Sequence, residues 1–261
     1  MNSTEQFSEE VKENVRQLGA SSELEGKSID WMQAVCAEGN YLYNFSWLGR
    51  PIIQYPQDIY AVQELIWRVK PDLVIETGIA HGGSLMLSAS LLALLDLAEA
   101  CAMDVTLNPR ESHRKVLGID IDIRSHNRKA IEAHPLASRI QMLEGSSISC
   151  DMVDRVQEIA ENYERVMVFL DSSHTHDHVM SELNAYAQLV SIGSYCVVFD
   201  TLIEDLPTGS FPNRPWDKGD NPRTAVEAFL NTTDSFVVDE MMADKLQVTV
   251  APGGFLKRVA D

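Results

Sequence analysis

The chain has 261 residues, of which 45% are hydrophobic and 23% are charged. It is therefore long enough to bury one substantial core and too apolar for a disordered chain. Acidic residues outnumber basic ones by 39 to 21, which gives a formal net charge of −18. This excess of negative charge opposes contact with a nucleic-acid backbone or an anionic membrane surface. We therefore expect no nucleic-acid partner.

No segment predicts secretion or a membrane span. Residues 1–5 (MNSTE) lack the basic start and apolar core of a secretion signal. The longest apolar run, residues 85–95, contains two serines and is shorter than the roughly 20 residues that a bilayer requires. The four cysteines form no CxxC pair, which favours buried free thiols over a zinc site or a disulfide framework. We expect a cytoplasmic enzyme.

Residues 1–60 differ in pattern from the rest, and we interpret them as an N-terminal cap on a main domain of residues 61–261. The pattern predicts helices over residues 8–18 and 29–37. An aromatic segment follows at residues 41–47 (YLYNFSW). Its rings are expected to pack in the core or to close over a bound ring.

After the cap, predicted helices and strands alternate. Strands are predicted at residues 73–76, 115–119, 140–143, 166–170 and 195–199, with helices at 58–69, 84–100, 125–133, 149–162 and 175–189. Because these strands are apolar at consecutive positions, they predict a parallel sheet with helices on both faces. Two more strands, at residues 246–250 and 255–259, are predicted around a tight turn. The expected fold is therefore a doubly wound α/β domain, with a mostly parallel seven-stranded sheet and an antiparallel last strand.

The first strand leads into a glycine-rich turn, residues 76–84 (ETGIAHGGS). Ligands of open parallel sheets bind beyond the carboxyl ends of the strands. Glycines allow close backbone approach, and the free N–H groups of the next helix favour anionic groups, so the turn fits a nucleotide-like cofactor. Its spacing departs from G-x-G-x-x-G and lacks the lysine of a P-loop, which disfavours dinucleotides and ATP. A purely structural turn is the alternative.

Small polar turns follow the next two strands. Asp120, in GIDID, lies where a ribose diol would need an acceptor; a helix N-cap or a solvated acid is the alternative. Ser146, in EGSS, is expected at an adenine edge, with a plain turn as the alternative.

The fourth and fifth strands each end in an aspartate, Asp171 and Asp200. Two carboxylates at one crevice need a counter-charge, and Mg²⁺ prefers such oxygen ligands. His174, three residues after Asp171, fits a general base. His174 and His178 also have the spacing for a site of two histidines and one carboxylate, which stays an alternative. Otherwise, His176 and His178 are expected to be surface or packing residues.

Several linked motifs resemble the cephalosporin hydroxylase family over residues 41–259. They are residues 47–56 (WLGRPIIQYP), 76–84, 170–176 (LDSSHTH) and 195–201 (YCVVFDT). This family resembles class I S-adenosylmethionine-dependent methyltransferases and is similar to metal-dependent O-methyltransferases that act on sugars of macrolides and glycolipids. The resemblance implies S-adenosylmethionine as cofactor and Mg²⁺ at Asp171 and Asp200. In some relatives the residue before the last aspartate is acidic, whereas here it is Phe199, so one expected ligand is missing.

The resemblance implies an O-methyltransferase acting on a hydroxyl of a sugar, polysaccharide or glycosylated natural product. Catalytic roles fall to His174 and Asp171. The amino-acid end of the cofactor would lie at the glycine turn with its amine near Glu76, and the full predicted cofactor set is Glu76, Gly78, His81, Gly82, Ser84, Asp120 and Ser146. A metal-dependent oxygenase or hydrolase, and a non-catalytic nucleotide-binding protein, are the alternatives. The aromatic cap also favours a homo-oligomer.

Overall fold

The structure is a computed structural model that describes residues 3–261. The prediction about a secretion signal involves Met1 and Asn2, which lie outside the described residues. In chain order the elements are α1 (Ser3–Gly19), α2 (Ser22–Gly39), β1 (Phe45–Trp47), β2 (Arg50–Ile52), α3 (Pro56–Val69), β3 (Leu73–Thr77), α4 (Gly83–Met103), β4 (Lys115–Asp120), α5 (Ser125–Glu132), β5 (Ile140–Glu144), α6 (Cys150–Ala160), β6 (Val166–Leu170), α7 (His176–Tyr186), β7 (Tyr195–Val198), α8 (Pro222–Leu230), β8 (Phe236–Val238), α9 (Glu240–Leu246) and β9 (Phe255–Arg258).

The main sheet has seven strands in the order β5-β4-β3-β6-β7-β9-β8. The five strands from β5 to β7 pair in parallel, and β9 pairs antiparallel with both β7 and β8. Every residue of β3 and β6 is buried, as expected for strands covered on both faces. The predicted fold class, including the antiparallel last strand, is confirmed.

The predicted strand at residues 246–250 is wrong. Leu246 ends α9, and the strand that pairs with β9 on its outer side is β8, which the sequence analysis missed together with α8. The alternating apolar residues 246, 248 and 250 suggest a strand, but their segment bonds to a side chain instead of a neighbouring strand. The Val250 amide and the Thr249 hydroxyl both donate to the buried carboxylate of Asp58. A tertiary partner thus overrides the local pattern.

The N-terminal residues form two helices and a small hairpin. Helix α1 packs against α9, and the antiparallel β1–β2 hairpin packs on α4. Tyr41 contacts Trp31 and Phe45 edge to face, and the Trp47 indole donates to Ser90 at 3.0 Å, so Tyr41 and Trp47 pack within the protein. Tyr43 is 57% exposed. Helix α3 runs through residue 60, and the division of the chain there stays a prediction.

Helix α4 is long and apolar enough to cross a membrane by composition alone, but 56% of its most apolar window is buried inside the fold. Seven of its residues between Leu85 and Leu95 belong to the core on one face of the sheet. The apolar character of α4 therefore follows from its place against the sheet.

The four thiols are all free. The prediction that they are buried is correct for Cys196 and wrong for Cys101 and Cys150, which are exposed, while Cys36 is half-buried.

Buried ion pairs close the amino edge of the sheet, where the strands begin. Asp96 of α4 pairs with Arg114 and Arg139, which directly precede β4 and β5, and both arginines are 2% exposed. Burial acts to raise the pKa of Asp96, but hydrogen bonds from Ser112 and the two arginines outweigh it and hold the pKa below its usual value. Asp96, Arg114 and Arg139 each have an opposite charge beside them, which favours a structural role over a chemical one.

Candidate active site

Three side chains that the sequence assigned to chemistry meet at the carboxyl edge of the sheet. Asp171 directly follows β6, and Asp200 lies two residues after β7. The backbone continues the parallel pairing beyond the strands, because the Asp171 amide donates to the Thr77 carbonyl at 3.0 Å. Potential ligand atoms of Asp171, His174 and Asp200 all lie within 4.8 Å of one another. The imidazole Nε2 of His174 is 3.3 Å from the Asp200 carboxylate.

An excess of negative charge surrounds this group. Burial raises the pKa of Asp171 well above its usual value, and the carboxylates of Asp200 and Glu76 raise it further. Burial also raises the pKa of Glu76 to about 7, although a hydrogen bond from Ser84 opposes the shift. The pKa of Asp58, which lines the same cavity as Glu76 and Asp171, is raised to about 7 for the same reason. Carboxylates crowded in this way are ionised together only if a cation lies among them.

The donor set fits a divalent metal ion. Two carboxylates and an imidazole converge, and carboxylate oxygens are the ligands that Mg²⁺ prefers. Phe199, which occupies the position that is acidic in some relatives, is 4% exposed and packs edge to face on Phe169. It supplies no ligand, and the third donor near the two aspartates is His174.

The glycine turn contacts the loop that carries Asp171. Gly78 has a φ of +91°, and a Cβ there would lie 2.0 Å from the Asp171 carbonyl oxygen. Gly82 precedes the first residue of α4 and has a φ of +84°. A Cβ at Gly82 would meet the side chain of Ile131. These positions require glycine because of both backbone conformation and space. The turn and the Asp171 loop are thus in direct backbone contact.

Two buried polar atoms beside the turn have no partner. Ser84 donates to one carboxylate oxygen of Glu76, whereas Glu76 Oε2 is unpaired. Gln54 donates to Asp171 at 3.2 Å, whereas Gln54 Oε1 is unpaired. Both side chains line one narrow cavity together with Asp58, and the cavity has room for a water molecule. Buried acceptors without donors are unusual, and these two both lie in the lining of one cavity.

Asp120 and Ser146 lie next to the glycine turn. Asp120 accepts hydrogen bonds from the amides of Ile79 at 2.8 Å and Ala80 at 3.2 Å, so it holds the turn in shape. The Gly145 amide donates to the Asp120 carbonyl at 2.9 Å, which brings the Ser146 loop to the end of β4. Neither contact tests the predicted ribose and adenine roles, which stay predictions.

His81 contributes through its backbone. Its carbonyl accepts two hydrogen bonds from Arg50 of the β1–β2 hairpin, at 3.0 and 2.7 Å. Arg50 also donates to the buried Asn127 at 2.9 Å, and Asn127 in turn donates to the Ala80 carbonyl at 2.9 Å. The glycine turn is therefore braced from both sides, and the sequence analysis missed this bracing.

The three histidines that follow Asp171 contact three different side chains. His176 Nδ1 lies 2.9 Å from the hydroxyl of Thr224. His178 lies 3.3 Å from Glu182, and His174 contacts Trp216 edge to face with ring centroids 4.7 Å apart. The possible site with His174 and His178 as joint ligands is therefore not assembled within residues 3–261.

Sequence reasoning missed two buried acids beside the site, Asp58 and Glu182. Asp58 shares one face of α3 with Val62 and Leu65, and Glu182 shares one face of α7 with Val179. The sequence contained a signal for both acids, namely a charged residue on the apolar face of an amphipathic helix. Such a residue is buried when the helix packs, and it then requires a polar partner.

The strand order, the single antiparallel strand and the glycine turn after β3 define a class I methyltransferase fold. The family model described as Rhamnosyl O-methyltransferase/CmcI matches residues 39–259, and the chain belongs to this family.

Relatives support this assignment. Rhamnosyl O-methyltransferase of Mycobacterium tuberculosis (strain H37Rv) is 28% identical over 206 residues, which cover 77% of this chain and 73% of the relative. The protein of the same name from Mycobacterium leprae (strain TN) is 26% identical over 223 residues, which cover 84% of this chain and 86% of the relative. A solved CmcI structure with Mg and SAM shares the fold at a TM-score of 0.52 and 19% identity, covering 84% of this chain and 78% of its own. The chain is a methyltransferase.

Proposed function

We propose that this protein transfers the methyl group of S-adenosylmethionine to a hydroxyl of a sugar, within a polysaccharide or a glycosylated natural product, with the help of Mg²⁺. One observation carries the proposal. Asp171, His174 and Asp200 converge beside a braced glycine turn, in a family with curated relatives named rhamnosyl O-methyltransferases.

The glycine turn and its neighbours would hold the cofactor. The unpaired Glu76 Oε2 is buried beside a small cavity that its side chain helps to line, and an ammonium group there would supply both a donor and a positive charge. That charge would counteract the raised pKa of Glu76 and favour its ionised form. The Asp120 carboxylate has lone pairs beyond those used by the turn, so it retains the capacity to accept a ribose hydroxyl.

His174 is the proposed general base. Its Nε2 lies 3.3 Å from the Asp200 carboxylate, which orients the ring at the edge of the sheet where it would accept the proton of the acceptor hydroxyl. Asp171 and Asp200 would hold Mg²⁺, which supplies positive charge that favours ionisation of the hydroxyl. Because Mg²⁺ prefers oxygen ligands, this division leaves the imidazole free for the proton.

The acceptor would bind beside Trp216. This side chain packs against His174, and the guanidinium of Arg214 lies 5.2 Å from the centre of its ring system. An aromatic surface and a cationic donor beside the base suit the apolar face and the hydroxyl groups of a sugar. We propose that the protein forms a homo-oligomer, because the aromatic side chains of Tyr43 and Tyr60 are largely exposed. We also propose that the reaction takes place in the cytoplasm.

Binding and turnover test the proposal. Calorimetric titration should show binding of S-adenosylmethionine and S-adenosylhomocysteine, strengthened by Mg²⁺, and no comparable binding of NAD. Incubation with rhamnose-bearing acceptors should then yield a methylated product by mass spectrometry. His174→Ala should lower the rate by about 100- to 10,000-fold and leave S-adenosylhomocysteine affinity near the wild-type value.

His113→Ala is the matched control, because His113 is an exposed histidine near the opposite edge of the sheet. Its rate should equal that of the wild type. A preference for NAD, or tightly bound iron together with indifference to S-adenosylmethionine, would overturn the proposal in favour of an oxidoreductase or an oxygenase. Cofactor binding with full activity in His174→Ala would remove the assigned base.

A further inference from the structure

A buried polar cluster joins helix α7 to the loops after β5 and β6. We call it the Glu182 cluster; its members are Ser147, Ser172, His178, Glu182 and Tyr186. Glu182 is fully buried. Its Oε1 atom accepts hydrogen bonds from the Ser147 hydroxyl at 2.6 Å and the Ser172 hydroxyl at 2.7 Å. Both lengths lie in the normal range for a hydroxyl that donates to an oxygen acceptor.

The hydrogen-bond directions in the cluster are fixed by counting protons. Each serine hydroxyl has one proton and gives it to Glu182, so it can only accept from His178. His178 Nε2 lies 3.2 Å from the Ser147 oxygen, 3.1 Å from the Ser172 oxygen and 3.3 Å from Glu182 Oε1. We therefore assign the Nε2 atom of His178 as protonated. Two loops thus each donate one hydroxyl to a single carboxylate oxygen, and the Nε2 proton of His178 is shared between the two serine oxygens.

The two serines adjoin residues of the proposed active site. Ser147 follows Ser146, and its carbonyl accepts a hydrogen bond from the buried Tyr186 hydroxyl. Ser172 follows Asp171. The cluster thus connects the loop assigned to the cofactor with the loop assigned to the metal, and it does so on the face of the sheet opposite the Glu76 cavity.

Burial of a carboxylate in an apolar core costs desolvation free energy. Glu182 lies between Val179 and Leu183 of the same helix, in an apolar cluster that includes Cys196. Its Oε2 atom is buried without a partner. Replacing buried charged groups by apolar side chains is often neutral or stabilising. A gain in stability therefore does not account for an acid here, whereas a requirement to hold two loops in register does.

We propose that Glu182 is a positioning residue that fastens the loop after β5 to the loop after β6, and so sets the spacing between Ser146 and Asp171. The inference rests on the proposed function, because it assumes a cofactor on the first loop and a metal on the second. It predicts a specific signature: when the carboxylate is lost, affinity for the cofactor and affinity for the metal fall together.

The experiment compares Glu182→Gln with the wild type in the full-length protein. Dissociation constants are measured for S-adenosylhomocysteine by calorimetry and for Mn²⁺, as a Mg²⁺ substitute, by electron paramagnetic resonance. Both dissociation constants should rise by about tenfold, the scale on which residues that support metal ligands act. Melting temperatures and circular dichroism show whether each variant is folded at the temperature of measurement.

Asp72→Asn is the matched control. Asp72 is also a buried carboxylate, and it accepts hydrogen bonds from the amides of Glu164 and Arg165 at the opposite edge of the sheet. It should lower the melting temperature and leave both dissociation constants unchanged. If Glu182→Gln does not fold, Ser147→Ala and Ser172→Ala each remove one donor and should weaken both ligands by about threefold.

The outcomes separate the two claims. A wild-type protein that fails to bind S-adenosylhomocysteine overturns the proposed function and this inference with it. A wild-type protein that binds, together with folded Glu182→Gln or serine variants whose two dissociation constants stay within about twofold of the wild type, overturns only the positioning role. A fall in one affinity alone also contradicts it, because the cluster would then act on a single loop.

Discussion

At the amino edge of the sheet, Asp96 is held between Arg114 and Arg139, whereas at the carboxyl edge Asp171 faces the carboxylates of Asp200 and Glu76. The first arrangement keeps the pKa of its acid below the usual value, and the second keeps the pKa of its acid well above it. Both edges bury charge in the same fold. The difference lies in whether the compensating charge is part of the chain.

This contrast separates stability from binding. An acid whose charge is balanced by neighbouring arginines has little to gain from a ligand, whereas crowded carboxylates and unpaired acceptors are relieved by one. We therefore expect changes at the amino edge to lower the free energy of unfolding and leave binding intact, and changes at the carboxyl edge to weaken binding without lowering the free energy of unfolding.

The largest effect is expected from Arg114→Met. It leaves Asp96 with one arginine and Glu99 with none, and breaking a buried ion pair from one side costs about 3–5 kcal/mol. Urea unfolding measures the loss, and calorimetry should show unchanged affinity for S-adenosylhomocysteine. Arg16→Met, in an exposed pair with Glu13, should change the free energy of unfolding by less than about 0.5 kcal/mol. A weakened ligand affinity in Arg114→Met would break the contrast.

An opposite effect on stability is expected from Glu76→Gln. The pKa of Glu76 is about 7 in the folded protein against an ordinary value of 4.5, so the folded state loses stability as the pH rises from about 4.5 to 7. Glutamine cannot ionise and avoids this loss. Without divalent cations at pH 8, the variant should be more stable than the wild type by about 1–3 kcal/mol, and the difference should vanish near pH 4.

The same substitution should weaken binding of S-adenosylmethionine, because the proposed partner of its amine loses its charge. Thermal unfolding across pH 4–8 and calorimetry provide the two measurements. A glutamine variant that is less stable than the wild type at pH 8 would show that Glu76 is already compensated within the chain, and the two edges would then be alike.

The smallest effect is expected from Ser146→Ala. Its hydroxyl is assigned one neutral hydrogen bond near the adenine, worth about 0.5–1.5 kcal/mol, so the dissociation constant of S-adenosylhomocysteine should rise by about two- to tenfold. Mn²⁺ affinity should not change, in contrast to Glu182→Gln. A joint loss of both affinities in Ser146→Ala would indicate that the two loops are coupled by more than the Glu182 cluster.

Much of the fold followed from the sequence because it depends on local patterns. Strand β6 was predicted with its observed bounds, and the acids at the strand ends were expected to meet because parallel strands share an edge. Contacts between distant segments were not predictable in this way. The bond between Asp58 and Thr249 joins residues 191 positions apart, and it turned a predicted strand into an irregular segment.

The same limit applies to the site. Asp171, His174 and Asp200 were found because each lies within four residues of the carboxyl end of a strand, where such folds carry chemistry. Gln54 and Arg50 belong to the N-terminal segment, and their place against Asp171 and His81 depends on how the hairpin seats on the sheet. Periodicity within a segment contains no information about that contact.

The β1–β2 hairpin sets a limit on how this protein can be recombined with its relatives. Its Pro51 carbonyl lies so near Gly83 that a Cβ there would come within 2.2 Å, and its Arg50 holds the turn after β3. Helices α1 and α2 precede the hairpin, and the family match begins only at residue 39. A chimaera joined ahead of Phe45 would exchange those helices and keep the hairpin seated, whereas a crossover at residue 60 would pull it away from the turn it supports.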